Sequence, residues 1–458
     1  SEMCIRDRAT RWGALVIVAF TMMAAYYVND VVAPLKTMLE TDLAWSSTDF
    51  GFFTGGYSFL NVFFLMLIWG GLILDRFGIR FTGKLATILM VGATALEYYA
   101  MTGLAGADAT LFGINEIFGY KTGVFVAFAG YSIFGVGAEV AGITVSKIIA
   151  KWFKGKELAT AMGVQVALAR IGSQAGYAVA IPLARAFGIS TPVLLGLVLL
   201  LGGMIAFFIF AVMDKKLDKQ MEAAAIAAGT EDEEEKFSFK DVKNILVNPG
   251  FWLIALLCVL FYSCVFPFQK FASELMIIKY GINENVAGTF AGLPALGALI
   301  LTPVFGGFID KRGKSASIML LGSAMLICVH FIYAIPDINY WLVAIVLMII
   351  LGIAFSLVPS AMWPAVAKIF PVSQLGTAYA LIFFIQNIGL WGIPTLIGWV
   401  LDAYCISGKK PDGTNMYDYT VPMCIFTGIA CLSLIVTLLL KKADKKYGYK
   451  LEEPNIQK

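Results

Sequence analysis

Long hydrophobic stretches alternate with short polar segments over nearly the whole chain. A helix needs roughly 20 apolar residues to cross the hydrocarbon core of a bilayer, and about twelve stretches meet that criterion. They begin near Gly13, Gly51, Leu85, Gly123, Leu158 and Thr191, and then near Phe251, Val286, Ser317, Trp341, Ala378 and Val421. The pattern predicts an all-α polytopic membrane protein with twelve transmembrane helices, six in each half.

Composition supports this class. Of the 458 residues, 59% are hydrophobic and 14% are charged, and the mean hydropathy is +0.80. A soluble core of this length could not bury so many apolar runs. The 7 cysteines are scattered without metal-ligand spacing. We therefore expect no metal, no cofactor and no nucleic-acid partner.

Charged residues divide the chain into segments. We predict a cytoplasmic N-terminal segment at 1–12, a six-helix bundle at 13–213, a linker at 214–249, a second bundle at 250–440 and a cytoplasmic tail at 441–458. The linker holds the charge run from Glu231 to Lys236, which is typical of a solvated, flexible tether.

Lysines and arginines cluster on one side of the predicted bundle, which by the positive-inside rule is cytoplasmic. Both termini then lie in the cytoplasm, although Lys409 and Lys410 on the opposite side are exceptions. The cations on the predicted cytoplasmic side include Arg6, Arg8, Arg11, Lys84, Lys151, Lys154, Lys156, and those from Lys441 to Lys446.

A short loop signature occurs twice, at 70–80 and at 306–314. Each copy has paired glycines, then an acid and then a cluster of cations, so two helices can approach closely before the chain turns in water. This repeated turn resembles the loop signature of the major facilitator superfamily. The resemblance implies two pseudo-symmetric six-helix halves that expose a central site to alternate sides.

Two opposite charges lie inside predicted spans. Glu139 is in the fourth span and Arg170 in the fifth, and their midpoint falls in the loop that joins these antiparallel helices. The helical rise places both at one depth of about 20 Å, near mid-membrane. One interpretation is an ion pair that locks the helices; the other is a site for a zwitterion, since intramembrane charges commonly mark substrate paths.

A closer resemblance is carried by two blocks. Residues 151–158 with 169–173, and residues 375–380 with 385–390, are similar to the lysosomal dipeptide transporter branch of the superfamily. The resemblance implies a dipeptide uniporter in which Glu139 holds the peptide ammonium and Arg170 the carboxylate. Because the N-terminal segment is too short for a lysosomal sorting signal, we expect a bacterial inner membrane protein without the animal accessory glycoprotein.

Other polar residues suggest further roles. Glu97, in the third span, is interpreted either as a proton site or as a helix contact, and the lone His330 either as a packed residue or as a proton site. In the second half, Trp363, Gln386 and Asn387 are expected to bind the peptide backbone and to stack on varied side chains.

The loop signatures are expected to act as gates. By resemblance, their acids and cations hold the cytoplasmic side shut while the outer side is open. The expected gate residues are Gly71, Asp75, Arg76, Gly78 and Arg80 in the first copy, and Gly307, Asp310 and Arg312 in the second.

These observations predict a monomeric carrier in the lipid bilayer whose substrate is a dipeptide or a similar small zwitterion. Alternatives are a proton-coupled symporter or antiporter of peptides, or of small organic anions. A peptidase is disfavoured, because the chain has one histidine and neither His-Glu-x-x-His nor Gly-x-Ser-x-Gly.

If Asp75 is a gate residue, Asp75→Ala slows transport and shifts the resting conformation while the binding pocket stays whole. Turnover and ligand affinity measured on the same purified variant separate these effects. Unchanged turnover would count against the gate role.

Overall fold

The structure is a computed structural model that describes residues 8–153, 157–228 and 238–456. The helices of the first half are α1 (Arg8–Val31), α2 (Lys36–Leu43), α3 (Ser47–Phe63), α4 (Met66–Thr102), α5 (Thr122–Trp152), α6 (Leu158–Phe187) and α7 (Thr191–Ala228). After α8 (Phe239–Leu246), those of the second half are α9 (Pro249–Ser263), α10 (Phe266–Tyr280), α11 (Glu284–Ala291), α12 (Leu293–Arg312), α13 (Ser315–Ala334), α14 (Trp341–Ile369), α15 (Leu375–Tyr404) and α16 (Thr420–Tyr447).

Short elements connect these helices. Turns of 3₁₀ helix at Ala33–Leu35 and Val372–Gln374 precede α2 and α15. Two antiparallel hairpins, β1 (Glu116–Ile117) with β2 (Tyr120–Lys121) and β3 (Ile406–Lys409) with β4 (Asn415–Tyr417), lie in loops between long helices.

Within the described residues, 10 helical segments are long and apolar enough to cross a membrane. The two other crossings predicted from the sequence correspond to α3, which has 17 residues, and to α6, whose polar residues lower its hydropathy. Several crossings are bent or broken. The second, for example, is interrupted where Leu65 adopts a left-handed conformation with φ 53°, and α9 and α10 together make the seventh.

The two loop signatures turn in the same way. Gly78 has φ 81° and Gly313 has φ 76°, conformations that a side chain would strain. Each glycine comes three residues after the acid of its signature, Asp75 or Asp310. The sequence repeat is therefore also a structural repeat, with a sharp turn between the second and third crossings of each half.

The halves meet at the helix ends remote from the loop signatures. There α3 packs on α15 so closely that Cα of Gly398 lies 3.0 Å from where a Cβ of Gly51 would be. In a second contact between the halves, a Cβ on Gly288 of α11 would lie 2.2 Å from the Tyr177 carbonyl oxygen of α6. By contrast, Gly71, Gly306 and Gly307 of the signatures have open space around them. We call the end of the bundle at which the halves meet the closed side, and the end that carries the loop signatures the motif side.

The predicted linker is partly helical. Helix α7 continues past Asp214, which is fully buried, to Ala228, and α8 lies within the same segment. The acidic run from Glu231 to Lys236, like Lys154 and Lys156, lies outside the described residues.

Close packing of α5 on α3 leads to a stability prediction. A Cβ on Gly135 would lie 2.0 Å from the Tyr57 carbonyl oxygen, a backbone atom that cannot move independently. We expect Gly135→Ala to destabilise the protein by roughly 1–3 kcal/mol through overpacking.

The measurement is thermal unfolding of the purified protein in detergent, followed by tryptophan fluorescence. The matched control is Gly92→Ala, on an exposed face of α4 with nothing within 4 Å of the new methyl group. Equal melting temperatures for the two variants would contradict the packing argument.

Candidate functional site

A cavity of about 820 Å³ lies between the two halves. Its walls come from α1, α3, α5 and α6 on one side and from α9, α10, α14 and α15 on the other. Ser146 and Met162, which flank the loop after α5, lie in its wall, so the cavity extends toward the motif side. Its residues include all five that the sequence analysis assigned to substrate: Glu139, Arg170, Trp363, Gln386 and Asn387.

Glu139 projects from α5 into this cavity. The Tyr57 hydroxyl on α3 donates a hydrogen bond of 3.0 Å to its carboxylate. The contact exists because Gly135, one turn earlier, lets α5 approach the backbone of α3 at Tyr57. The sequence analysis did not identify Tyr57. The feature that could have indicated it is a polar hydroxyl group within an apolar span.

Arg170 reaches the cavity from α6. Its guanidinium carbon lies 5.0 Å from the centre of the Phe355 ring on α14, a cation–π contact between the halves. Gly172 allows α6 to pack against α1, because a Cβ there would lie 2.2 Å from the Met23 carbonyl oxygen. Phe355 was also missed, because nothing in the local sequence links it to the other half.

The two charges are not paired with each other. Among the ion pairs of the described residues, none joins Glu139 to Arg170. The helix-locking interpretation of these residues is therefore not what the structure contains. Glu139 and Arg170 instead line one cavity as separate anionic and cationic groups.

Aromatic and amide side chains form the wall of the second half. The Trp363 indole donates a 3.0 Å hydrogen bond to the Tyr262 hydroxyl and stacks on Phe383 at 5.0 Å between ring centres. The Asn387 side-chain amide donates to the Phe383 carbonyl oxygen at 2.9 Å, while its own buried oxygen has no hydrogen-bond partner within the described residues. Gln386 lies beside it in the wall.

Neither proposed proton site lines the cavity. Glu97 on α4 is 1% exposed, and both of its carboxylate oxygens lack a hydrogen-bond partner among the residues that the structure describes. His330 on α13 is hydrogen-bonded through Nε2 to the Cys264 carbonyl oxygen at 2.8 Å, with its ring packed against Phe268 and Phe426. This geometry favours the interpretation of His330 as a packed residue.

Paired charges hold the halves together between the cavity and the closed side. Lys270 on α10 donates to the Asn29 carbonyl oxygen, to the Tyr131 hydroxyl and, at 3.4 Å, to Asp30 on α1. One turn along α10, Glu274 accepts hydrogen bonds of 2.8 and 2.9 Å from the fully buried Lys36. Lys270 and Glu274 lie four residues apart on α10, yet each pairs across the interface and not with the other.

The first loop signature is tied to its own half. Arg80 pairs with Asp214, at 2.8 Å, and with Asp218, both on α7. Lys151 and the Trp152 indole at the end of α5 bind the same Asp214. Arg76 and Phe77 are exposed, and the Asp75 side chain has neither an ion pair nor a hydrogen bond in the part of the chain that the structure describes.

The second loop signature is bound by the C-terminal segment that follows α16. The Asn455 amide donates to the Asp310 carboxylate at 2.9 Å, whereas the side chains of Lys311 and Arg312 are exposed. The two copies thus share a turn but differ in their partners.

Sequence comparison finds relatives over nearly the full chain. The human lysosomal dipeptide transporter MFSD1 is 29% identical over 455 residues, which cover 96% of this chain and 88% of that protein. The lysosomal dipeptide transporter MFSD1 of Gallus gallus is 33% identical over 287 residues, covering 60% of this chain and 62% of the relative.

Structural comparison gives the fold. A crystal structure of the nucleoside transporter NupG superposes with a TM-score of 0.67 at 12% identity, covering 93% of this chain and 98% of that one. A D-xylose–proton symporter superposes with a TM-score of 0.67 at 14% identity, covering 97% and 98%. A bacterial homologue of the lysosomal transporter Spinster, in an inward-facing and unoccupied conformation, gives 0.66 at 14% identity, covering 99% of each chain.

A family model, Major Facilitator Superfamily, matches residues 15–394. The predicted major facilitator fold is thereby confirmed, and the protein is a multi-pass membrane transporter of a small molecule rather than an enzyme. The chain belongs to the Major Facilitator Superfamily.

Proposed function

We propose that this transporter carries dipeptides, or similar small zwitterions, by alternating access and as a uniporter. One observation carries the proposal: Glu139 and Arg170 line the same cavity without pairing with each other. A substrate with a free ammonium group and a free carboxylate would supply an ion-pair partner to both side chains at once.

Electrostatics favours such a ligand. A charged side chain near mid-membrane costs at least ~2.5 kcal/mol. Elsewhere between the halves, Lys270 with Asp30 and Lys36 with Glu274 compensate each other. Glu139 accepts a hydrogen bond from a neutral tyrosine, Arg170 lies over an aromatic ring, and neither has an ion-pair partner among the described residues, so a zwitterion would supply the missing counter-charges.

The rest of the cavity suits a peptide of variable sequence. Gln386 and Asn387 can exchange hydrogen bonds with a peptide unit, and Trp363 offers a flat apolar surface. A volume of about 820 Å³ falls within the range of small-ligand pockets and leaves space for different side chains. The relatives named lysosomal dipeptide transporter agree with this substrate class.

We place the motif side in the cytoplasm, with both termini, because cations are concentrated there. The bacterial inner membrane remains our proposal for the location, and a monomer for the working unit. In the state described, the cavity extends toward the motif side and the paired charges close the other side. Exchange between this state and its opposite would move the substrate.

Proton coupling is the second candidate, and Glu97 favours it. Glu97 is a buried carboxyl group with no hydrogen-bond partner in the described part of the chain, and carboxyl groups inside membrane helices commonly serve as proton carriers. A carrier of organic anions is the third candidate, and it would need Arg170 but not Glu139.

The first prediction from the proposed function concerns the two ends of the ligand. We expect the wild type to bind Ala-Ala and to reject both N-acetyl-Ala-Ala and Ala-Ala-amide. Glu139→Gln and Arg170→Gln should each weaken Ala-Ala binding about 10- to 100-fold, the range for losing a hydrogen bond to a charged group. Isothermal calorimetry on the detergent-solubilised protein measures all three ligands.

The neutral variants also separate the substrate classes. Glu116→Gln, on the exposed β1–β2 hairpin, is the matched control for the loss of one negative charge. If Glu139→Gln binds N-acetyl-Ala-Ala as tightly as the wild type binds Ala-Ala, the ammonium site is confirmed. Wild-type binding that ignores acetylation but requires the free carboxylate would instead identify an anion carrier.

The second prediction concerns coupling. In proteoliposomes, labelled Ala-Ala should equilibrate across the membrane, and an inward proton gradient should not drive accumulation. Glu97→Gln, which mimics the neutral acid, should leave this equilibration unchanged. Gradient-driven accumulation that disappears in Glu97→Gln would replace uniport with proton symport.

A further inference from the structure

The chain folds back after α16. It turns at Gly448, with φ 68°, and at Lys450, with φ 62°, and then runs beneath the second half. We call residues 448–456 the C-terminal strap. Leu451 in the middle of the strap is fully buried, so this segment is packed into the fold.

Backbone and carboxylate groups of the strap cap the start of α13. The amides of Lys314 and Ser315 donate to the carbonyl oxygens of Glu452 and Leu451 at 3.0 and 3.2 Å. The Glu452 carboxylate accepts two further hydrogen bonds of 2.8 Å, from the backbone amide and the hydroxyl of Ser317. The strap thus satisfies amides that the helix itself leaves free.

The end of the strap holds the second loop signature. The Asn455 side chain donates to the Asp310 carboxylate at 2.9 Å, and the Ile456 amide donates to the Asp310 carbonyl oxygen at 3.1 Å. Lys368, at the end of α14, donates to the Glu453 carbonyl oxygen at 2.7 Å. One segment therefore ties α12, α13 and α14 together at the motif side.

The first loop signature has no such clamp on its acid. There Arg80 is committed to Asp214 and Asp218, and the Asp75 carboxylate has no partner among the described residues. The acids of the two signatures consequently differ while the motif side is open: Asp310 is bound by the strap, and Asp75 is unbound as far as the described part of the chain shows.

We propose that the C-terminal strap is a conformational latch, which binds Asp310 in the state with the motif side open and releases it when that side closes. The hydrogen bond from Asn455 competes with cations of the first half for the Asp310 carboxylate, while the Ile456 amide holds the Asp310 backbone carbonyl oxygen. Closure of the motif side then costs the strap contacts at Asp310, so the strap biases the resting equilibrium toward the open state. This inference concerns the conformational cycle and is independent of the substrate.

The test measures the distance between the halves at the motif side in the full chain. Spin labels on a non-canonical amino acid replace Phe77 and Phe308, which are 55% and 52% exposed and lie in different halves. Pulsed dipolar spectroscopy in nanodiscs then reports the open and closed populations. Asn455→Asp places a carboxylate against Asp310 and releases the latch by like-charge repulsion.

We expect Asn455→Asp to raise the ratio of closed to open molecules by at least roughly fivefold, the factor for one net hydrogen bond. Glu453→Gln is the matched control, because its exposed side chain changes charge without touching Asp310. A chain that ends at Gly448 lacks the rest of the strap and should shift the ratio further.

Hydrogen exchange provides the second readout and guards against misfolding. Peptides covering 306–317 should exchange faster in Asn455→Asp and in the shortened chain, while peptides from α5 keep their wild-type rates. Distance distributions identical to wild type in both variants, with faster exchange at 306–317, would overturn the latch and leave only a local brace. Unchanged exchange in the shortened chain would overturn the strap contacts themselves.

Discussion

The cost of charge inside a bilayer organises this structure. Every acid or base between the halves has to find a partner or a wet cavity, because an isolated buried charge loses far more hydration than the protein returns. Lys36 satisfies this constraint with Glu274 and Glu40, and Lys270 satisfies it with Asp30. These paired charges join the halves at the closed side. Glu139 and Arg170 satisfy the constraint by facing the cavity.

This division explains why one set of charges stabilises a state and the other remains available for ligand. A buried pair is costly to break because each partner is then left uncompensated. Opening the closed side must expose Lys36 and Glu274 to water or give them new partners. Glu139 and Arg170 impose no such barrier, because neither has an ion-pair partner to lose among the described residues.

The sequence was sufficient for the helices and the repeat. These properties follow from apolar length and from spacing along one chain, both of which are local. It was not sufficient for Tyr57, Phe355 or Lys36 as partners, because rotation of a helix about its axis and contacts across the halves depend on packing. Lys270 and Glu274 show the same dependence: they are four residues apart on α10, but an i, i+4 pair is worth little, and each is paired with a buried residue of the other half.

Pseudo-symmetry has limits that only contacts reveal. The two loop signatures share their glycine turn, yet the extension of the sixth crossing binds Arg80, while the extension of the twelfth crossing folds into a strap on Asp310. The extensions of the sixth and twelfth crossings thus bind different residues of the two loop signatures. An alternating-access cycle needs both halves to rock, but the two halves need not contribute equally to the energy barrier at the motif side. Among the described residues the acid of the first signature has no partner, whereas the acid of the second is held by the strap. The proposed latch therefore makes the barrier at the motif side asymmetric, through hydrogen bonds that no repeat in the sequence encodes.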